Sequence, residues 1–334
     1  MSVDEVHAFS LSRQTVDVQF TFLHIVVQNY CMIDLRRLQV LRMVAHHGTV
    51  TAAARAMHLT PSAASLQIRE LSRSLGVPLL RPEGRGVRLT PAASALLAHA
   101  DELEARWEEA QADLAAYAAG EGDPRPLRLC GFPSAVAALL VPAAAGLRTA
   151  CPRLPVEIIE TESPEAFELL LAGDADLAVV NVTPAVPAAT DRRFDQQALL
   201  DEPLDLLVPA GHKLAGRPSV QLCDAARERW VISRQGTEHH DLTVIACTAA
   251  GFAPDVGHRA REWFAVSALV ANEFGVALMP RLGCIPPEHK VVRVPLHGSP
   301  VPSRRIVTAV RCGSREYPSI TQTLDALAGI AAAI

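Results

Sequence analysis

Residues 59–91 read LTPSAASLQIRELSRSLGVPLLRPEGRGVRLTP, and the reading of this stretch decides the fold of the first part of the chain. Thr60-Pro61 is a helix start: the hydroxyl can accept from a free N–H of the first turn, and proline lacks only an N–H that would have no partner there. Gly76 is the matching stop, because the left-handed backbone that closes a helix costs glycine little. Between them Ala64, Ile68, Leu71 and Leu75 fall at spacings of 4, 3 and 4, which puts them on one helical face. Ser62, Ser65, Arg69 and Arg73 form a second stripe of short donors and cations. A helix with one dry face and one small, basic face suits a DNA major groove, where hydroxyls and guanidinium groups meet base edges and phosphates. Val77–Arg81 and Val87–Leu89 then flank the Gly-rich turn Pro82–Gly86, which predicts a hairpin with Arg85 and Arg88 near its tip. Those two cations are placed to hold phosphates or enter the minor groove.

Upstream, Leu38, Leu41, Val44 and Ala45 predict one face of a helix over 35–47 that ends at Gly48. Thr49 caps a short alanine-rich helix at 52–57 whose small side chains allow close packing. Residues 1–31 fit nothing that follows and form an N-terminal extension, one reading of which is a start codon assigned too early. Downstream, Thr90-Pro91 repeats the start signal. Leu96, Ala100, Leu103, Trp107, Ala110, Leu114 and Tyr117 alternate spacings of 4 and 3, an apolar seam of the kind that pairs two helices. Over 91–119 this helix would run roughly 43 Å at about 1.5 Å per residue. The hinge GEGDPRP at 120–126 separates it from the rest, so it is read as a dimerising linker rather than a helix packed on its own core.

Charge supports the division. The formal net charge of the 334 residues is −5, yet 32–91 holds nine arginines against Asp34, Glu70 and Glu83, about +6, which leaves about −11 elsewhere. A basic segment on an acidic chain points to a polyanionic partner for that segment, the alternative being a solvated basic face. Seven cysteines, odd in number and widely spaced, show neither a CxxC nor zinc spacing, as expected of free thiols in a reducing cytoplasm. No uninterrupted apolar run approaches the roughly 18 residues of a membrane span, and no signal peptide is visible.

Beyond the hinge, strand and helix signals alternate: strands at 127–131, 156–160 and 176–180, helices from Ser134 to Ala150 and from Ser163 to Gly173. A second group follows at 204–208, 230–233, 246–250 and 276–278. Such alternation predicts an α/β domain of parallel strands with helices on both faces. Its ligands would sit at the carboxyl ends of strands beside helix N-termini, where free N–H groups favour an anion. The loops in that position contain Ser134, Ser163, Asn181, Ser233 and Gln235, with Ser134 the leading candidate. Ordinary helix capping is the competing account of Ser134 and Ser163, and Glu162 would oppose an anion unless neutralised. His239-His240-Asp241 is read as a solvated helix start.

From about Ile33 onward the chain resembles the LysR-type transcriptional regulators. The resemblance rests on the run from Leu35 through the second Thr-Pro, then LLLAGDADLAVV, DLLVPAGHKLA and GVALMP, in the family's order. It implies an all-α winged helix-turn-helix over 32–90, a long dimerising linker helix and hinge over 91–123, and an α/β effector domain over 124–334, two-lobed like a periplasmic binding protein. Lobe I would comprise about 127–195 and 297–334, lobe II about 200–291, with crossovers near 195–200 and 291–296. Carried over by position, DNA contacts fall on Ser62, Ser65, Gln67 and Arg69, supported by Arg55 and Arg85. Effector contacts fall in the loops named above, most often to a small carboxylate, and the linker seam includes Leu96, Leu103, Trp107 and Leu114. Two positions depart from the family: Leu66 stands where a polar or basic residue is common and offers only apolar contact, such as with a thymine methyl; Leu80 stands where an aromatic is usual. The resemblance favours a dimer of dimers.

The expected function is therefore sequence-specific binding of double-stranded DNA, modulated by a small molecule. A regulator that has lost sensing and an exported solute-binding protein are the alternatives. No nucleophile–base pair, metal site or cofactor fingerprint is present in the sequence, so neither an enzyme nor a cofactor is expected.

Overall fold

A computed structural model describes residues 34–84, 86–117 and 125–334. The N-terminal extension, Arg85 and most of the Gly120–Pro126 hinge lie outside them. The chain divides into two compact units between Leu103 and Glu104, inside the long helix.

In the first unit, α1 (Leu35–His47) is capped by Asp34, whose carboxylate accepts from the Arg36 N–H, and closes at Gly48 in the left-handed region. Its buried face holds Leu38, Leu41 and Val44 as expected; Val40 and Met43 join them, and Ala45 is exposed instead. Thr49 caps α2 (Val50–Ala56), accepting from the Ala52 N–H. Thr60 caps α3 (Pro61–Leu75), with Pro61 in the first turn and Gly76 at φ 69° as the stop. Ala64, Ile68 and Leu71 are buried against α1 and α2. The hairpin β1 (Leu80–Glu83) and β2 (Gly86–Leu89) pairs antiparallel. Gly86 is demanded by a close approach: a Cβ there would stand 2.9 Å from the Gly48 carbonyl, to which the neighbouring Val87 N–H donates. That bond fastens the hairpin to the end of α1. Thr90 both caps the next helix and donates to the Pro78 carbonyl.

That helix, α4 (Pro91–Tyr117), has 27 residues and would extend about 40 Å. Of the seam, Ala100 is buried and Leu96 half-buried, while Leu103, Trp107, Leu114 and Tyr117 are exposed.

The second unit holds β3 (Leu127–Gly131), α5 (Pro133–Ala150), β4 (Val156–Glu160), α6 (Ser163–Ala172), β5 (Leu177–Asn181) and β6 (Phe194–Pro209). After these come β7 (Arg229–Ile232), α7 (Glu238–Ala249), β8 (Asp255–Arg259), α8 (Trp263–Ala271), β9 (Ala277–Pro280), β10 (Val291–Val294), β11 (Ser303–Arg311) and α9 (Pro318–Ala331). Strands β4, β3 and β5 are parallel, but β11 is antiparallel to β5 and to β6, so the sheet is mixed rather than all-parallel. The parallel expectation failed at β11 because that strand returns from the far lobe instead of following a crossover helix.

β6 joins the lobes. Its residues 194–203 pair with β11 in lobe I, and 204–209 pair with β9 and β10 in lobe II. The first crossing therefore falls at Pro203–Leu204 and the return between Val294 and Ser303, both later than the sequence suggests. Leu199 and Leu200 accordingly pack in lobe I, and Leu296 in lobe II. β6 passes from one sheet to the other without a turn; Pro203, which lacks an N–H, stands at the passage, and a register shift opposite Ile306 and Val307 lies just before it.

Lobe I buries Leu129, Leu139, Leu140, Leu177, Val179, Ile306 and Leu327; lobe II buries Leu206, Val208, Trp230, Ile232, Val276 and Leu278. α5 is long and apolar enough by composition to cross a membrane. Its Ala135, Leu139, Leu140, Ala143 and Leu147 lie in the lobe I core, the packing of a core helix.

Candidate functional site

Two places gather the residues singled out by sequence. On α3, Ser62, Leu66 and Arg69 are exposed and Ser65 is half-buried, while the opposite side of the helix is core. Leu66 is 48% exposed, a large apolar side chain on the face that holds the short donors. Arg55 on α2 is exposed. Gln67 departs from expectation: its Oε1 is buried without a partner, so it is turned off the exposed face. Arg88 is exposed in the hairpin and ion-paired with Glu83 at 2.9 Å, an arrangement that costs little to break at a surface. Arg85 lies outside the described residues.

The second place is the cleft between the lobes, which the chain builds from distant segments. Helix α5 starts at Pro133 with Phe132 as its uncapped N-cap, so Ser134 is not a capping residue. It is buried instead, and its Oγ accepts from Arg304 Nη2 at 2.9 Å across 170 positions of sequence. Arg304 is the second residue of β11, and its guanidinium lies 4.7 Å over the Phe132 ring and bonds the Glu202 carboxylate. Glu202, fully buried on β6 at the crossing, also accepts from the Leu282 N–H. A buried cation thus has a counter-ion, and that carboxylate has a second donor, the conditions under which such a pair persists.

Ser163 is likewise no cap, since α6 begins with Glu162 at the N-cap and no side-chain bond. Buried Ser163 instead accepts from the Asn181 N–H at 2.9 Å, tying the carboxyl end of β5 to the start of α6. Asn181 reaches across the cleft: its Nδ2 donates to Glu238 Oε2 of α7 at 2.9 Å. Glu162 pairs with Arg261 of the other lobe, which supplies the neutralisation that an acid at the cleft mouth needs. Ser233 is buried and its hydroxyl points to the Ala260 carbonyl at 3.4 Å; Gln235 is exposed. The structure therefore ties Ser134 to Arg304 and Glu202, and ties Ser163 and Asn181 to Glu238, whose neighbour His239 feels the Arg304 charge.

Arg304, Glu202 and Glu238 were missed by sequence reading. The available signals were the acids Asp201, Glu202 and Asp205 among the apolar residues of 199–208, and the pair Arg304-Arg305 ahead of Ile306-Val307. Thr237 caps α7, accepting from the His240 N–H, so Glu238 and His239 occupy its first turn. His240 and Asp241 bond each other near the surface, as a solvated start would. His239 does not: its ring meets Trp263 edge-on at 4.7 Å, and burial, then the Arg304 charge, push its pKa down to about 4. The unfolded histidine titrates near 6.5 and takes up a proton first as pH falls, so the stabilisation present above 6.5 is lost between 6.5 and 4. The full loss, reached below pH 4, should be about 3 kcal/mol, of which about 2 kcal/mol falls between pH 7 and pH 5. Urea unfolding at pH 7 and pH 5 of the wild type and His239→Gln measures it; equal losses in both would remove His239 as the source. Among the cysteines, burial raises Cys130 and Cys247 to about 12, which keeps both as unreactive thiols.

Comparison with known proteins gives this geometry its context. Residues 35–94 match the family model for bacterial regulatory helix-turn-helix proteins of the lysR family, and residues 120–331 match the LysR substrate binding domain. The chain belongs to the LysR family. Its N-terminal domain is thus a DNA-binding helix-turn-helix, its C-terminal domain binds effectors, and it is a transcription regulator, not an enzyme. The transcriptional dual regulator GltC of Bacillus subtilis is 28% identical over 249 residues, covering 74% of this chain and 80% of GltC. The DNA-binding transcriptional dual regulator OxyR of Escherichia coli is 29% identical over 297 residues, 88% of this chain and 94% of OxyR. Among solved structures, full-length OxyR from Pseudomonas aeruginosa superposes with TM-score 0.61 at 20% identity, covering 89% and 95% of the two chains. The LysR-family regulator CbnR gives TM-score 0.51 at 20% identity, over 88% of this chain and all of that one. At these identities the structural likeness speaks for the fold alone.

Proposed function

We propose that this LysR-family regulator acts in the cytoplasm, reads its operator with Ser62, Ser65, Arg69 and Arg55, and responds to a small carboxylate held between the lobes. The observation that carries the sensing half is the buried Ser134 hydroxyl at the start of α5, bonded to Arg304 beside the Asn181–Glu238 bridge. The N–H groups of the first turn of α5, the Ser134 hydroxyl and the Arg304 guanidinium lie there, which favours an acidic group. The lobes contribute opposite walls, so a ligand touching both shifts their relative population, the way a binding event acts on a second domain.

Ser134→Ala should leave operator affinity without ligand unchanged and abolish the response to ligand. The loss of a bond to a charged donor should also cost about 1–3 kcal/mol in effector-domain stability. Gel shifts with and without a ligand found by thermal-shift screening measure it. A variant responding at the same ligand concentration as the wild type moves the site, most simply to the Ser233–Thr237 loop.

On the DNA side, Arg69→Ala should weaken operator binding and flatten its salt dependence by about one counterion if the guanidinium holds a phosphate. Gel-shift titrations at two salt concentrations measure both. Unchanged affinity and slope would take α3 out of the interface.

We read the exposed α4 seam as the contact between two chains, with a dimer of dimers as the complete assembly. Exposed Leu103, Trp107 and Leu114 on one helix support pairing with a second copy.

A further inference from the structure

Charge in the inter-lobe cleft is not what a simple anion requires. Arg304 is matched by Glu202, and Arg261 by Glu162. The neighbouring imidazole His239 is neutral near pH 7. Glu238 is left with an amide as its partner, and among the described residues no cation pairs with it. Glu238 is thus a carboxylate without a cation against it. A second observation points the same way. Asn181 is 9% exposed, and its Oδ1 is buried with no donor, although its Nδ2 is used on Glu238. A buried acceptor left without a donor costs about 1–3 kcal/mol, so a ligand that supplies one gains that amount back on binding. Turning the amide over would set its oxygen against the Glu238 carboxylate, so the observed orientation is the favourable one.

From this we infer that the effector is an amino acid or closely related amino-carboxylate, its acidic group at Ser134 and the start of α5, its ammonium between Glu238 and Asn181 Oδ1. The inference rests on the reading of the cleft as the effector site and adds the second half of the ligand. Acid and amine then meet opposite lobes: Ser134 stands in lobe I, Glu238 in lobe II. The ammonium carries the donors that both acceptors lack, and its charge balances the Glu238 carboxylate. A ligand with an acid alone leaves the Glu238 carboxylate without a cation and Asn181 Oδ1 without a donor.

The test uses the full-length protein and a panel of the proteinogenic amino acids, each beside the 2-oxo and 2-hydroxy acids that keep its carboxylate and side chain but lack the amine. Thermal shift identifies binders and calorimetry measures them. At least one amino acid should bind, with its oxo and hydroxy analogues weaker on the order of tenfold or more. Glu238→Gln should remove most of that preference, and Ser134→Ala should weaken all three. Oxo or hydroxy acids that bind as well as the amino acid, with dependence on Ser134, would overturn the amine assignment while leaving the cleft as the site. A panel in which nothing binds would also overturn it. Ligands found by wider screening that bind independently of Ser134 would remove the reading of the cleft itself.

Discussion

Glu202→Ala should be the most destabilising single substitution in the inter-lobe region, lowering effector-domain stability by roughly 3–5 kcal/mol. The carboxylate is fully buried and serves two donors at once, the Arg304 guanidinium and the Leu282 N–H. Its removal leaves a nearly buried cation facing the Phe132 ring and Ser134 without its counter-ion, together with an orphaned backbone donor. Glu202→Gln keeps the shape and the bond to Leu282, so it should lose less. Glu202→Leu combined with Arg304→Met removes both charges and should recover much of the loss, since a buried ion pair replaced by apolar groups is often neutral in stability. Thermal unfolding followed by Trp230, deep in the lobe II core, and by circular dichroism for the whole domain reports each variant. A loss under about 1 kcal/mol for Glu202→Ala would mean that Arg304 finds water and that the pair does not organise the crossing.

The second large effect concerns assembly. Leu103 and Leu114, 47% and 63% exposed on α4, should be covered by a second helix in the intact regulator. Replacing both with Asp removes four buried leucines per dimer. At about 1.5–3 kcal/mol each, the loss approaches 6–12 kcal/mol, or four orders of magnitude or more in dissociation constant. Light scattering should show a smaller species while circular dichroism stays native, because both side chains are largely exposed on α4. Operator affinity should fall as well, since two linked reading heads bind more tightly than one. An unchanged mass would show that the seam packs elsewhere.

Features legible from the sequence share a short range. Thr60-Pro61 and Gly76 bound α3 within one 15-residue helix, and its 4-3-4 apolar spacing identifies the buried face without any partner in view. Thr49 and Thr90 likewise mark the helices that follow them. Such signals are local because a cap or a helical face involves residues at most four apart. Legibility fell where a residue's role depends on a partner far along the chain. Gln67 shares α3 with Arg69, yet only packing turns its oxygen inward. Ser134 was identifiable as a helix-start residue, but the sequence could not say that its hydroxyl meets an arginine instead of a free N–H.

By itself, then, the sequence determined the helix-turn-helix with its hairpin, the long amphipathic helix and the α/β character of the remainder, because caps, glycines and periodicity act within a few residues of themselves. Tertiary structure alone decided the mixed sheet, the crossing at Pro203–Leu204 and the chemistry of the cleft. Strand β6 changes partners from β11 to β9 and β10 without a turn, and Pro203 at the crossing signals a missing N–H but not which distant strands lie on either side. Arg304, Glu202 and Glu238 are ordinary charged residues in their own segments. They become a site only when the return strand β11 and the first turn of α7 are brought against Ser134 and Asn181.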